Sequence, residues 1–411
     1  MTSLILRCLL LVAVVAISSG NGVRYTANWT SIDSRPLPVW YDESKIGIFV
    51  HWGVFSVPGY GQFSEWFWQS WRDAHRADEV EFMKKNYPVG FTYADFAHDF
   101  KAQFFEPDDW AEIFEASGAK KGLHFGLYHS LYDWFHPLYL KDKASGYKTQ
   151  EFVFQKALPE LVNLVMTYKP ELIWSDGDWE APDTYWNSTE FLAWLYNDSP
   201  VKDFVVVNDR WGNGCYCKHG GYYNCADRFT PGSLPNHKWE KCQSIDYHSW
   251  GYRRNMKLIE LMDLPTIITD MVYVVALGGN YLLNIGPMED GMISPLFEER
   301  LRGMGAWLGV NGEAIYSSKP WRVQGENTTV PVWYTSKNNT VYAILLEWPS
   351  KLLFDLAAPK TSADTNVTIL DDPSVPLKWV STTPTGLVVL MPDIMPVSPG
   401  RGWVLKLEGV V

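Results

Sequence analysis

Positive charge is what this chain has too little of. Against 47 Asp and Glu stand 35 Lys and Arg, a formal net charge of −12 at pH 7. Proteins that hold a phosphate backbone recruit clusters of Lys and Arg, and the lack of such clusters argues against a nucleic-acid partner. Long apolar runs are scarce as well. The run from Cys8 to Ile17 follows Arg7 and gives way to Ser18-Ser19-Gly20. It is too short for a bilayer span of roughly 20 residues. Its basic start, apolar centre and small-residue exit mark residues 1–20 as a secretory signal peptide. No later run is long enough to span, so no membrane partner is expected. Heptad repeats, collagen-like triplets and low-complexity tracts are missing. So are the GxGxxG and Walker motifs of nucleotide binders and the G-x-S-x-G elbow of serine hydrolases. No cofactor is expected.

Cysteine is sparse too, with five in 411 residues. Cys8 leaves with the signal peptide, and Cys215, Cys217, Cys225 and Cys242 remain close together in sequence. In an oxidising compartment that crowding favours local disulfides, with three pairings open. Zinc is disfavoured because Cys-x-Cys lacks the usual finger spacing, and no metal is expected. Six Asn-x-Ser/Thr sequons, at Asn28, Asn187, Asn197, Asn327, Asn338 and Asn366, fit a glycosylated lumenal chain. Asn197 is the weakest, because Pro200 follows its Ser199. The expectation is a secreted or lysosomal protein, and for an enzyme in that setting an acidic pH optimum.

Aromatic rings, by contrast, are plentiful: 15% of residues, with 21 Trp. Clusters such as Trp66-Phe67-Trp68 and Trp71 suit the flat faces of sugars, and they also build ordinary cores. From Lys45 to about Val310 short apolar runs alternate with helical stretches. Strands are predicted at Ile46–His51, His124–Tyr128, Leu172–Trp174, Phe204–Val207 and Tyr281–Ile285. Helices are predicted from Pro107 to Ala116, Thr149 to Tyr168 and Pro295 to Val310. This alternation predicts an α/β fold, a mostly parallel sheet or a (β/α)8 (TIM) barrel, over 21–318. His51, Tyr128, His129, Asp176, Arg210 and Asn284 fall at strand ends, the face that carries chemistry in such barrels. Beyond about Ser318 helical periods vanish, and short alternating runs predict a C-terminal antiparallel β-sandwich over 319–411.

Trp174-Ser175-Asp176-Gly177-Asp178-Trp179-Glu180 sets carboxylates among aromatic rings at a strand end, where burial tunes acidity; an Asp- and Gly-rich turn reads the same way. Asp227 and Glu240 offer a second carboxylate, and a retaining glycosidase needs two about 5–5.5 Å apart. The plainer account of Glu240 is a surface ion pair with Lys238 or Lys241, and of Asp227 a structural partner of Arg228. His51, His129 and Arg210 could bind hydroxyls or a carboxylate, or be structural.

At these residues the chain resembles the animal tissue-type α-L-fucosidases of glycoside hydrolase family 29, from about Tyr25 to Leu405. The resemblance is carried by Pro231-x-x-Leu234-x-x-x-Lys238-Trp239-Glu240-x-Cys242, by Gly47-Ile-Phe-Val-His-Trp-Gly53 and by Ser64-Glu-Trp66. Gly126-Leu-Tyr-His-Ser130, Trp174-Ser-Asp-Gly177, Asn208-Asp-Arg-Trp211 and Leu282-Leu-Asn-Ile-Gly-Pro287 extend it. It implies a retaining exoglycosidase that removes terminal α-L-fucose from glycoproteins and glycolipids, on a (β/α)8-like barrel with a C-terminal β-sandwich. Fucosylated glycans are the implied partners, and a homo-oligomer is implied because tetramers are usual among relatives. It also implies Asp176 as nucleophile and Asp227 as acid/base, with Glu240 the alternative. His51, Glu65, Trp66, Tyr128, Trp174 and Arg210 would hold fucose. In one place the chain departs from the family: Ala119-Lys120-Lys121-Gly122-Leu123 runs directly into the next strand. Missing there are roughly fifty positions, including a barrel strand ending in Lys-His-His-Glu-Gly-Phe. Each buried backbone group left unpaired costs about 1–3 kcal/mol, against a whole domain's margin of roughly 5–15 kcal/mol. The expectation is a barrel with one strand–helix unit deleted, which either recloses or keeps an open edge. A fucose-binding protein without turnover is the alternative functional reading.

Overall fold

A computed structural model describes residues 23–118 and 123–411. The expected signal peptide and the Ala119–Gly122 junction lie outside the described residues. Six parallel strands form the first domain: β1 (Ile46–Val50), β2 (Gly126–Ser130), β3 (Leu172–Asp176), β4 (Val206–Val207), β5 (Glu240–Ser244) and β6 (Asn280–Ile285). They pair as two three-stranded sheets, β1-β6-β5 and β2-β3-β4. The first runs in register from Ile46 opposite Tyr281 to Val50 opposite Ile285, and the second sets Ser130 opposite Asp176.

Side-chain alternation along β6 explains why these runs become strands. Tyr281, Leu283 and Ile285 pack outward against helices, in a cluster with Ile267, Met271, Leu301 and Met304. Leu282, between them, points into the barrel with Trp174, Val206 and Cys242. A strand covered on both faces is mostly apolar, and the exceptions in β6 are Asn280 and Asn284. Gly47 in β1 is required by closeness: a Cβ there would sit 2.8 Å from the Leu282 side chain.

The principal helices are α1 (Pro107–Ala116), α2 (Leu158–Tyr168), α3 (Ser188–Asn197), α4 (Leu264–Ala276) and α5 (Pro295–Asn311). Asp263 caps α4, its carboxylate accepting from the Thr266 N–H at 2.9 Å. Helix 149–168, predicted as one piece, is interrupted by a π-helical segment at Val153–Ala157. Pro159 lacks the N–H that would bond back to residue 155, so the ladder loosens one turn before it. The predicted strand 204–207 shortens to Val206–Val207.

The two half-barrels meet differently at their two seams. Between β4 and β5 the segment at 221–224 continues the ladder: the Tyr222 N–H donates to the Val207 carbonyl, and Tyr223 bridges Trp239. Between β1 and β2 no pairing occurs among the described residues. Among the described residues, then, β1 and β2 each keep one edge without a strand partner.

The second domain begins with β7 (Lys319–Asn327). It contains β8 (Pro331–Lys337), β9 (Thr340–Leu345), β10 (Leu353–Leu356), β11 (Asn366–Ile369), β12 (Trp379–Ser381), β13 (Leu387–Leu390) and β14 (Trp403–Glu408). Antiparallel sheets β11-β14-β9-β8-β7 and β10-β13-β12 enclose a core of Tyr334, Leu345, Phe354, Val389 and Leu405. The outer face of the larger sheet packs on α4 and α5, so Ile344 and Val404 share a core with Met271 and Trp307. Trp307 is fully buried, and its indole N–H donates to the Gly402 carbonyl at 2.9 Å. Trp307→Ala is expected to lose about 3–5 kcal/mol of stability. A chemical-denaturation midpoint unchanged from wild type would contradict that.

Candidate active site

The strand carboxyl ends surround a cavity of ≈ 540 Å³ lined by His51, Glu65, Trp66, Tyr128, Trp174, Asp176, Arg210 and Asp227. Arg210, delivered by the turn after β4, is its centre. One guanidinium nitrogen donates to Asp176 Oδ1 at 2.9 Å and the other to Asp227 Oδ1 at 2.5 Å. Burial opposes the guanidinium charge, but the two carboxylates prevail and raise its pKa well above the ordinary value. The guanidinium lies 4.5 Å over the Trp174 ring, which fixes its plane. Asp176 Oδ2 accepts from the Tyr128 hydroxyl at 2.8 Å, and burial and Asp176 hold that phenol protonated. Asp176 is thus pinned at both oxygens with its side chain 18% exposed, while Asp227, bound at one, is 50% exposed.

His51 Nδ1 lies 2.7 Å from Asn284 Oδ1, and the Asn284 amide nitrogen donates to Ser244 Oγ and the Trp250 carbonyl. Because that nitrogen is spent, Oδ1 accepts and His51 Nδ1 carries the proton. Nε2 is then an acceptor, and burial lowers the imidazole pKa in favour of this neutral form. Glu65 Oε2 accepts from Ser249 Oγ and from the N–H groups of Trp250 and Gly251. Its Oε1 is buried without a partner, an acceptor available to a hydroxyl donor. Trp66 joins Trp134 and Trp179 in a ring wall, whereas Phe67 and Trp71 belong to a core, so the Trp-rich segment serves both purposes. His129 lines the same cavity, with Nε2 3.6 Å from Glu160 and Nδ1 buried without a hydrogen-bond partner.

Glu240 lies elsewhere. It is buried beneath the site, accepting from Tyr41, Trp174 Nε1 and Asn224 at 2.8, 3.1 and 3.1 Å. The surface-ion-pair reading fails, because Lys238 pairs with Asp42 and Lys241 with Asp270. Register explains the difference: all of β5 is buried, so Glu240 cannot reach solvent. Asp227 likewise pairs with Arg210 rather than Arg228.

The loop carrying Asp227 is held by one disulfide, Cys217–Cys225. Asp209 reinforces it, accepting from the N–H groups of Cys217, Cys225 and Asn224 at 2.9, 3.1 and 3.0 Å. Cys215 and Cys242 are free and buried in separate cores, so the expectation of a second bond is corrected. Asp209, Cys217 and Cys225 converge as metal ligands would, but both sulfurs are spent in the disulfide.

Sequence reasoning missed Trp250, a loop residue with no motif around it, whose ring lies 5.5 Å from His51. It also missed the separate character of Asp178. That residue is fully buried, accepts from Tyr216 at 2.9 Å and leaves Oδ2 unpartnered. Burial pushes its pKa up to about 6 from 3.8. Between those values the folded chain binds more protons than the unfolded one, so this group's contribution to stability falls as pH rises. Asp178→Asn removes the effect. The stability of the variant relative to wild type should increase by about 1–3 kcal/mol from pH 4 to pH 6. A difference constant across that range in urea titrations would contradict the burial argument.

This geometry belongs to a chain with clear relatives. The family model Alpha-L-fucosidase matches residues 12–120 and 119–313, and the model Alpha-L-fucosidase C-terminal domain matches residues 324–408. The tissue alpha-L-fucosidase of Homo sapiens is 52% identical over 433 aligned residues, covering 94% of this chain and 92% of that protein. The plasma alpha-L-fucosidase of Rattus norvegicus is 47% identical over 442, covering 95% of each. A solved structure of Thermotoga maritima alpha-fucosidase in complex with fucose has a TM-score of 0.78 at 28% identity, covering 93% of this chain and 100% of that one. The 433 aligned positions span only 94% of a 411-residue chain, so nearly fifty positions of the human protein lack a counterpart. The family match breaks at residues 119–120, where the chain runs straight on towards β2. The chain belongs to the α-L-fucosidase family.

Proposed function

We propose that this protein is a retaining α-L-fucosidase that removes terminal α-linked fucose from glycoproteins and glycolipids. The observation that carries the reading is the Arg210 guanidinium joining Asp176 and Asp227 at the strand ends. Retention needs two carboxyl groups close together, one attacking carbon and one moving protons. Asp176, held at both oxygens, is suited to be the nucleophile, and Asp227, half-exposed, to be the acid/base.

In the first step Asp176 attacks the anomeric carbon while Asp227 gives its proton to the departing glycosidic oxygen. A fucosyl ester on Asp176 results. Asp227, now a carboxylate, takes a proton from water, and the resulting hydroxide displaces Asp176 from that carbon. His51 Nε2 and Glu65 Oε1 accept sugar hydroxyls, and Trp66 packs on the ring. Glu240 supports Trp174, and through it the plane of Arg210, rather than exchanging protons with substrate. The assembled carboxylate pair favours turnover over the binding-only alternative.

The same reading makes the protein secreted or lysosomal, with N-glycans. Asn197 is the exception, because its side-chain amide is engaged with the Tyr25 backbone in both directions, at 2.8 and 2.7 Å. Peptide mapping should find Asn197 unmodified while exposed Asn327 and Asn338 carry glycans; a stoichiometric glycan at Asn197 would contradict this.

Asp176→Ala should abolish release of 4-nitrophenol from its α-L-fucoside. Asp227→Ala should lose about 10²–10⁴-fold on a fucosyl disaccharide, and far less on an aryl fucoside whose leaving group needs no proton. Glu240→Gln should slow both substrates equally. If instead Glu240→Gln shows the leaving-group dependence and Asp227→Ala does not, the acid/base roles are reversed.

A further inference from the structure

The open seam of the barrel is not a surface notch but a second cavity, of ≈ 730 Å³. One wall is β1, the other is Leu123–Tyr128, and Trp110 and Phe114 of α1 stand behind it. Phe49, Tyr128 and Trp174 line both this cavity and the active-site pocket, so three rings separate the two.

Its lining is mainly apolar, with Glu43, His124, Glu240 and Asn280 among the polar exceptions, and two features set it apart from an ordinary hole. Each long wall is the edge of a parallel sheet: among the described residues β1 pairs only with β6 and β2 only with β3, so both opposing edges present backbone groups without a strand partner there. Strands of parallel sheets are normally covered on both sides, yet Leu123 and Phe125 are half-exposed and Gly126 is exposed. A small apolar molecule would fill volume but leave the N–H and C=O groups without partners. An extended chain satisfies both edges at once.

The place and kind of occupant are fixed by the same geometry. Both edges are five residues long, and their carboxyl ends open on the same cavity. A strand between them would have rings of the active-site floor on one face and α1 on the other. It must therefore be apolar at successive positions. The relatives carry nearly fifty further positions where this chain passes from residue 119 to 120, on the connection between these two strands. We propose that the seam is a strand-acceptor slot, which binds one extended apolar peptide segment of about five residues, parallel to β1 and β2, supplied in trans. This does not rest on the fucosidase reading, since its primary readout is protection of backbone amides.

The test uses the full-length glycosylated protein and synthetic peptides tiling the human tissue protein's unmatched positions, each with a scrambled partner. Hydrogen exchange is followed at residues 46–50 and 126–130. One apolar tile should slow exchange there at least tenfold and saturably. It should also raise the melting temperature by about 2–4 °C at a hundredfold excess over Kd, with no change at β7–β14. Scrambled peptides should do neither. The proposal is overturned if no tile protects these two strands, if scrambled peptides protect them equally, or if protection falls elsewhere.

Discussion

Everything at the mouth of this barrel is arranged around one buried cation. Arg210 holds Asp176 with one nitrogen and Asp227 with the other while lying on the Trp174 ring. An isolated guanidinium could not be buried at this depth, and neither could Asp176 without it. The pairing therefore sets the position of both carboxylates, and much of the remaining structure keeps the pairing in place. Glu240 pulls on the Trp174 indole from below, and Asp209 with the Cys217–Cys225 bond brings the Asp227 loop to the guanidinium. Glu240 is thus tied to the strand that carries Asp176 and does not line the cavity at the strand ends.

Among the described residues the barrel around this centre has no pairing between β1 and β2, and the site draws on both sheets. Asp176 and Arg210 come from the β2-β3-β4 sheet, whereas His51 and Asn284 come from neighbouring strands of β1-β6-β5. The intact seam between β4 and β5 brings the Asp227 loop across from one sheet to the other. What the open seam removes is the covering of β1 and β2, whose free edges lie directly behind the rings of Phe49 and Tyr128. Helices α4 and α5, clamped by the C-terminal sandwich, hold the β1-β6-β5 half from outside. Fold integrity and site geometry are thus coupled through the same few aromatic side chains.

Much of this was legible from residue order. Strand-ending motifs located His51, Asp176 and Arg210, because barrel chemistry gathers where parallel strands end, and the loss of helical periods marked the start of β7. Burial was not legible. Glu240 between two lysines reads as a surface ion pair, and only the all-buried register of β5 sends those lysines to Asp42 and Asp270. Asp178 and Asp176 are two residues apart in one motif, yet one is sealed beside Tyr216 and the other lines the cavity. The pairing of Cys217 with Cys225, and of neither with Cys242, depends on which core each loop enters. Trp250 had no signal at all, since a tryptophan in a loop is placed only by what it packs on. The direct run from residue 119 to the next strand was visible in sequence, but whether the barrel would reclose depended on edge geometry.

The central claim is that one guanidinium joins two carboxylates into a double-displacement site within an open-seamed barrel. The stereochemistry of the first sugar released tests it most directly, followed by proton NMR from the first turnovers on an aryl α-L-fucoside. The account predicts that α-L-fucose appears first and mutarotates to the β-anomer afterwards. Release of β-L-fucose as the initial product, or no release from a folded protein, would contradict it.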